Sequence, residues 1–113
     1  MSELARVEVA SEGEPLCLLR IRGEIDISNV PQLTADIEAA VPNGASTVAL
    51  DLTETAYVDS SGIQLLLVLA ERLKTRRHTL RLIVPEDSPI RAVLELSGVP
   101  ALIPLEPRLE EPA

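Results

Sequence analysis

From Ile63 to Leu73 the chain reads Ile-Gln-Leu-Leu-Leu-Val-Leu-Ala-Glu-Arg-Leu, apolar at nearly every position. The run is too long for a typical strand and predicts a helix buried on most sides, with Gln64, Glu71 and Lys74 or Thr75 marking its wet stripe. Such a helix needs other layers to cover it. The sequence around it supplies strands.

Arg6-Val7-Glu8-Val9 alternates polar and apolar residues, Ser11 to Pro15 supplies turn residues, and Leu16 to Ile21 is a second strand-like run, so the chain opens with an antiparallel pair. Thr47 to Leu52 is a third run, followed after a short polar break by Tyr57-Val58, which delivers the chain to Asp59; Arg81 to Val84 is another strand candidate, and Leu102-Ile103 a candidate for a last short strand. Between them lie helical patterns. Ser28 and Asn29 are cap residues before Pro31, Leu33, Ile37, Ala40 and Val41 form one apolar face, and Pro42-Asn43-Gly44 stops that helix. Further on, Ser88 as N-cap, Pro89 at the first turn, a face of Ile90, Val93 and Leu94, and Gly98 as terminator define a short helix. Strands alternating with helices after a hairpin predict an α/β fold: one domain over residues 1–104, with a mostly parallel four- to five-stranded sheet, one antiparallel strand and helices packed around it. Residues 105–113 read as an acidic, proline-containing tail that is expected to be mobile.

At 113 residues the chain has room for one core, and with no Trp, no Phe and only Tyr57 among aromatics, that core must be aliphatic. Stacking platforms for bases are missing. A formal charge of -8 opposes binding to nucleic acid or an anionic leaflet, both of which want clustered Lys and Arg. No apolar stretch approaches the roughly 20 residues of a membrane span, and Met1-Ser2-Glu3-Leu4 lacks the features of a signal peptide, so the expectation is a cytoplasmic protein without membrane insertion. Cys17 is alone, which excludes an intrachain disulfide and a cysteine-rich metal site, and within Leu16-Cys17-Leu18-Leu19 it reads as a buried, inert thiol.

The most informative segment is Asp59-Ser60-Ser61-Gly62, which puts hydroxyls and free amides at an exposed strand-to-helix turn. Taken alone it is first a capped helix, with Asp59 or a Ser accepting amide hydrogen bonds and Gly62 easing close packing. Asp26, in Gly23-Glu24-Ile25-Asp26, is on its own residues a turn residue or helix cap. A nucleophilic role for Ser60 or Ser61 would need a base. The sole histidine, His78, lies in polar Arg76-Arg77-His78-Thr79 and reads as a solvated loop residue, with no orienting carboxylate and no Gly-x-Ser-x-Gly elbow. Arg72, Lys74, Arg76 and Arg77 complement the C-terminal end of the long helix or steer an acidic partner. Leu67 is placed in the core, with a partner contact as its other reading.

Gly23-Glu24-Ile25-Asp26 after one strand, Asp59-Ser60-Ser61-Gly62 after another and Leu96-Ser97-Gly98-Val99 at the last helix together resemble the STAS domain of bacterial anti-sigma-factor antagonists, from about Val7 to Ile103. The resemblance implies phosphorylation of the first Ser after the Asp, here Ser60, with Asp59, Ser61, Gly62 and Asp26 around it. It implies a docking surface of Glu24, Asp26, Ile27, Ser28, Asn29, Tyr57, Asp59, Ser60, Ser61, Ile63 and Gln64. The partner it implies is an anti-sigma factor that is also a serine kinase; a serine phosphatase would reset the site. ATP and magnesium would belong to that kinase, since this chain has no glycine-rich phosphate loop, and no cofactor or metal of its own is expected. The protein would be a non-enzymatic monomer that frees sigma factor until it is phosphorylated. The same fold also serves as an adaptor for a transporter ATPase or a signalling scaffold, which is the rival reading. Where the family usually carries a further C-terminal helix, this sequence has the proline-containing tail.

Overall fold

The computed structural model describes residues 6–11 and 16–108. Strand β2 (Leu16–Ile25) is ten residues long, and its two halves serve different neighbours on one edge. Leu16 to Arg20 pair in parallel with β3 (Thr47–Asp51), while Gly23 to Ile25 pair in parallel with β4 (Thr55–Val58). Thr53 and Glu54 make the step from β3 to β4, and the Thr55 hydroxyl donates to the Ile21 carbonyl (2.7 Å), filling the irregularity in the β2 ladder. On the other edge β1 (Arg6–Ser11) runs antiparallel to β2, with Arg6 opposite Arg22 and Val9 opposite Leu19. Strand β5 (Thr79–Ile83) pairs in parallel with β3, and β6 (Leu105–Glu106) in parallel with β5, giving the order β1-β2-β3-β5-β6.

Among the described residues the sheet has six strands where four to five were expected, β4 and β6 being the short ones. The expected strand at Leu102-Ile103 is instead a turn with Ile103 buried, and the strand falls on Leu105 and Glu106, two residues assigned from sequence to the tail. They are held because Leu82 N–H donates to the Pro104 carbonyl (3.0 Å), Val84 N–H donates to Glu106 (2.7 Å) and the Glu106 carboxylate pairs with Arg81. The remainder of the expected mobile tail, residues 109–113, lies outside the described residues, as do residues 12–15 of the opening turn.

Helices α1 (Val30–Ala40), α2 (Ser60–Thr75) and α3 (Arg91–Leu96) cover one sheet face. Period-two alternation sends Cys17, Leu19, Ile21 and Ile25 of β2, Val48 and Leu50 of β3, and Leu80 and Leu82 of β5 inward. They meet Leu33 and Ile37 of α1, Leu65, Leu66, Leu69 and Leu73 of α2, and Ile90 and Leu94 around α3. Leu65, Leu66, Leu69 and Leu73 of α2, all buried, each contribute about 1.5–3 kcal/mol, which makes this helix a major hydrophobic element. The opposite face carries Arg20, Arg22 and Arg81 paired with Asp51, Glu54 and Glu106. These exposed pairs keep the sheet face soluble and add little stability.

Helix α2 is less enclosed than its composition suggests. Its exposed stripe runs Gln64, Val68, Glu71, Arg72 and Thr75, so Val68 faces solvent, while Leu67 is half-buried against the core. In α3 the helix proper starts at Arg91, after a turn in which Ser88 Oγ accepts the Ile90 amide, and Val93 is exposed where burial was expected. Gly98, at φ 80°, ends that helix as predicted.

The reading of His78 as a solvated loop residue is overturned: it is 3% exposed, and its Nδ1 donates to the Ala45 carbonyl. Arg77 adopts a left-handed turn (φ 68°), and His78 N–H donates to Leu73 at 2.8 Å, which folds the ring under the Ala45 loop. The basic residues close α2 onto α1: Arg72 pairs with Glu38 (2.8 Å) and Arg76 donates to Asn43 (3.2 Å). Cys17 is buried, as expected, with its thiol donating to the Ala40 carbonyl (3.9 Å). No helix among the described residues is long and apolar enough to cross a membrane.

Candidate functional site

Because Ile25 at the end of β2 pairs with Val58 at the end of β4, the Asp26–Asn29 loop and the Asp59–Gly62 turn leave the sheet side by side. Gly62 explains how closely α2 can follow. A Cβ on Gly62 would stand 2.8 Å from Val58 Cγ1, 2.9 Å from Ile25 Cγ2 and 3.2 Å from the Ile25 carbonyl, so only glycine lets the first turn rest on both strand ends.

Asp59 is the N-cap of α2, and its two carboxylate oxygens have separate duties. One accepts the Gly62 amide (3.0 Å), the helix cap proper, and the other accepts the Ile27 amide (3.3 Å) from the neighbouring loop. Its own N–H donates to the Ile25 carbonyl (3.2 Å). Of the capping choices open in the sequence, Asp59 is therefore the cap, and Ser60 begins the helix with an exposed side chain. Ser61 is half-buried and faces α1.

The adjacent loop is braced from within. Asn29 sits at the N-cap position of α1 without capping it by its side chain: Oδ1 accepts the Asp26 amide (3.1 Å) and Nδ2 donates to the Glu24 carbonyl (2.7 Å). It is buried, so of the expected docking residues Asn29 is an internal brace and not a surface contact. Asp26 is a turn residue in which Oδ1 accepts the Ser28 hydroxyl and the Ser28 amide (2.9 Å). The Ser28 hydroxyl first, and then the Ser28 amide, hold the Asp26 carboxyl below the ordinary aspartate value.

On this frame Ile27 is 76% exposed and Tyr57 49%, near exposed Ser60. Ser28, Ser60 and Gln64 are exposed, Glu24, Asp26, Asp59 and Ser61 are intermediate, and Ile63 packs against the core. Except for Asn29 and buried Gly62, the sequence-derived residues thus reach one surface. A groove of about 500 Å³ continues from it between α1 and α2, lined by Val30, Pro31, Thr34, Leu65 and Val68. Sequence reading missed this extension. Its signal was the spacing of Gln64, Val68 and Glu71, which sets Val68 on the wet stripe. Among the described residues no His, Cys, Asp and Glu group could hold a metal ion.

The model of the STAS domain family matches residues 7–111. The chain belongs to this family. The STAS domain is similar to BtrV of Bordetella bronchiseptica, provisionally named an anti-sigma factor antagonist, at 32% identity over 75% of this chain and 72% of the relative. In structure it resembles an anti-sigma factor antagonist from Mycobacterium paratuberculosis, with TM-score 0.79 and 23% identity over 93% of this chain and 87% of that one. It also resembles SpoIIAA, a Bacillus cell fate determinant, in its phosphorylated form, with TM-score 0.59 and 23% identity over 89% of each chain. Those two likenesses concern the fold. In this STAS domain, Ser60 at the first residue of α2 and Ile27 on the loop bonded to the Asp59 cap are both exposed.

Proposed function

We propose that this STAS domain is an anti-sigma factor antagonist: unmodified, it binds an anti-sigma factor that is also a serine kinase and so frees sigma factor, and phosphorylation of Ser60 ends the interaction. The observation that carries this reading is the position of Ser60, exposed at the first residue of α2 and flanked by the exposed apolar Ile27 and Tyr57. The relatedness to BtrV supports the partner class. ATP and magnesium come with the kinase, a serine phosphatase completes the cycle, and the antagonist works as a cytoplasmic monomer.

Phosphate adds about -1.5 to -2 charges at neutral pH. A helix start tolerates an anion, so the fold persists. The partner, by contrast, must accommodate a doubly charged, strongly hydrated group where it had met a small hydroxyl, beside Asp59 and near Asp26. Repulsion and desolvation then disfavour the complex. The serine acts as acceptor and not as catalytic nucleophile: the only histidine follows the far end of α2, about 24 Å of helix away from Ser60.

The test is incubation of the purified protein with ATP, magnesium and each purified anti-sigma kinase from its own cell, with the phosphate located by mass spectrometry. Phosphate on Ser60 that disappears in Ser60→Ala supports the switch. Binding to a transporter ATPase, with no binding or phosphorylation by any such kinase, assigns the protein to the adaptor class instead.

A further inference from the structure

We propose that Asp59 is a positioning residue that yokes the phosphoacceptor helix to the Ile27 loop, and that Ile27 so held is the apolar anchor inserted into a socket on the anti-sigma partner. The inference rests on the antagonist reading and goes beyond it by naming what presents the serine and what seats beside it.

A helix cap requires only one acceptor. Asp59 supplies two, and the second reaches across to the Ile27 amide, 32 positions earlier in the chain. That bond ties the four residues between Ile25 and Val30 directly to the cap of α2, beside the Asp59 amide bond to Ile25. The inner bonds of the loop, Asn29 to Asp26 and Glu24 and Asp26 to Ser28, shape it but do not aim it at Ser60. The Asp59 oxygen does. The result is an aliphatic side chain held out in water at 76% exposure on a loop whose backbone is fixed at several points. Ordering an exposed isoleucine gains nothing in the free protein. At an interface, a preorganised apolar anchor removes most of the ordering cost of binding. The occupant is the kinase already invoked, because Ser60 must enter its active site and Ile27 is tied to the residue next to Ser60.

The chemistry of Asp59→Asn separates this role from simple capping. The amide keeps one oxygen for Gly62 but offers an NH2 donor in place of the second acceptor, so the cap survives and the tether to the Ile27 N–H is lost. Dissociation constants, and KM and kcat for Ser60 phosphorylation, are measured for the wild type, Asp59→Asn, Ile27→Ala and the double variant, using the purified kinase that modifies the wild type; urea midpoints monitor folding. The expected result is a rise in Kd and KM of about tenfold for each single variant with kcat nearly unchanged. The double variant should bind no worse than Ile27→Ala, because Asp59 acts through Ile27. Wild-type binding by Asp59→Asn, wild-type binding by Ile27→Ala, or losses that multiply in the double variant would each overturn the proposal while leaving the Ser60 switch standing. Failure of every kinase to bind the wild type removes both.

Discussion

Ile25 and Val58 close on Gly62 at the start of α2 and leave no room there for a side chain. Gly62→Ala forces a methyl to within 3 Å of two side chains at the ends of adjacent strands, an overpacking that costs about 1–3 kcal/mol. Chemical denaturation should show that loss, and α2 should shift at its start, so Ser60 presentation suffers with stability. Asp26 gives a prediction in pH. Its carboxyl is held below the ordinary value by Ser28, so the folded protein binds that proton less readily than the unfolded chain. The stabilisation is fully present above the unfolded aspartate pKa and is lost as pH falls through the depressed folded value. Ser28→Ala should bring the Asp26 titration, followed by NMR, back up toward the ordinary position; an unchanged titration would mean that Ser28 does not hold it. Asp59, Ser60 and Gly62 were legible as a unit in the sequence because a cap, hydroxyls and a glycine in that order fit few backbone geometries. The inward role of Asn29 was not, since an asparagine before a helix caps it in most settings, and only the fold brings the Glu24 carbonyl within reach.

Among the elements, α2 and β6 show two ways of being attached. Helix α2 is held by leucines: Leu66→Ala or Leu69→Ala should cost about 2–5 kcal/mol, measured by urea unfolding, because each side chain is fully buried. Strand β6 is held by the Arg81 pair, the backbone bonds from Leu82 and Val84 and the half-buried Leu105 side chain. Glu106→Ala should therefore leave global stability almost unchanged while amide exchange at Val84 accelerates; equal protection in the variant would show that the strand does not depend on the pair. The same contrast explains what could be read in advance. An eleven-residue apolar run declares a helix, and runs such as Thr47 to Leu52 declare strands by composition. Leu105 and Glu106, between two prolines, carry no such pattern and become a strand only because the edge of β5 is waiting for them. Likewise His78 is buried through a left-handed turn at Arg77, a residue type that gives no warning of that conformation.

At the scale of the whole molecule, the helices shield one sheet face and the ion-paired arginines keep the other in water, while β2 and β4 deliver the Ile27 loop and the Ser60 turn together at one end, where recognition is proposed. Ser60 is exposed at the helix start, outside the buried core, so a change of about two charges there is expected to alter partner binding without altering the fold. Thermal unfolding of the phosphorylated and unmodified forms should accordingly differ little. The most direct test of this account is the dissociation constant of the anti-sigma kinase for the unmodified protein and for the protein phosphorylated at Ser60, determined side by side by titration calorimetry at one ionic strength. The account predicts affinity at least about tenfold weaker after phosphorylation, the equivalent of 1.4 kcal/mol or more. Equal or tighter binding of the phosphorylated form would contradict it.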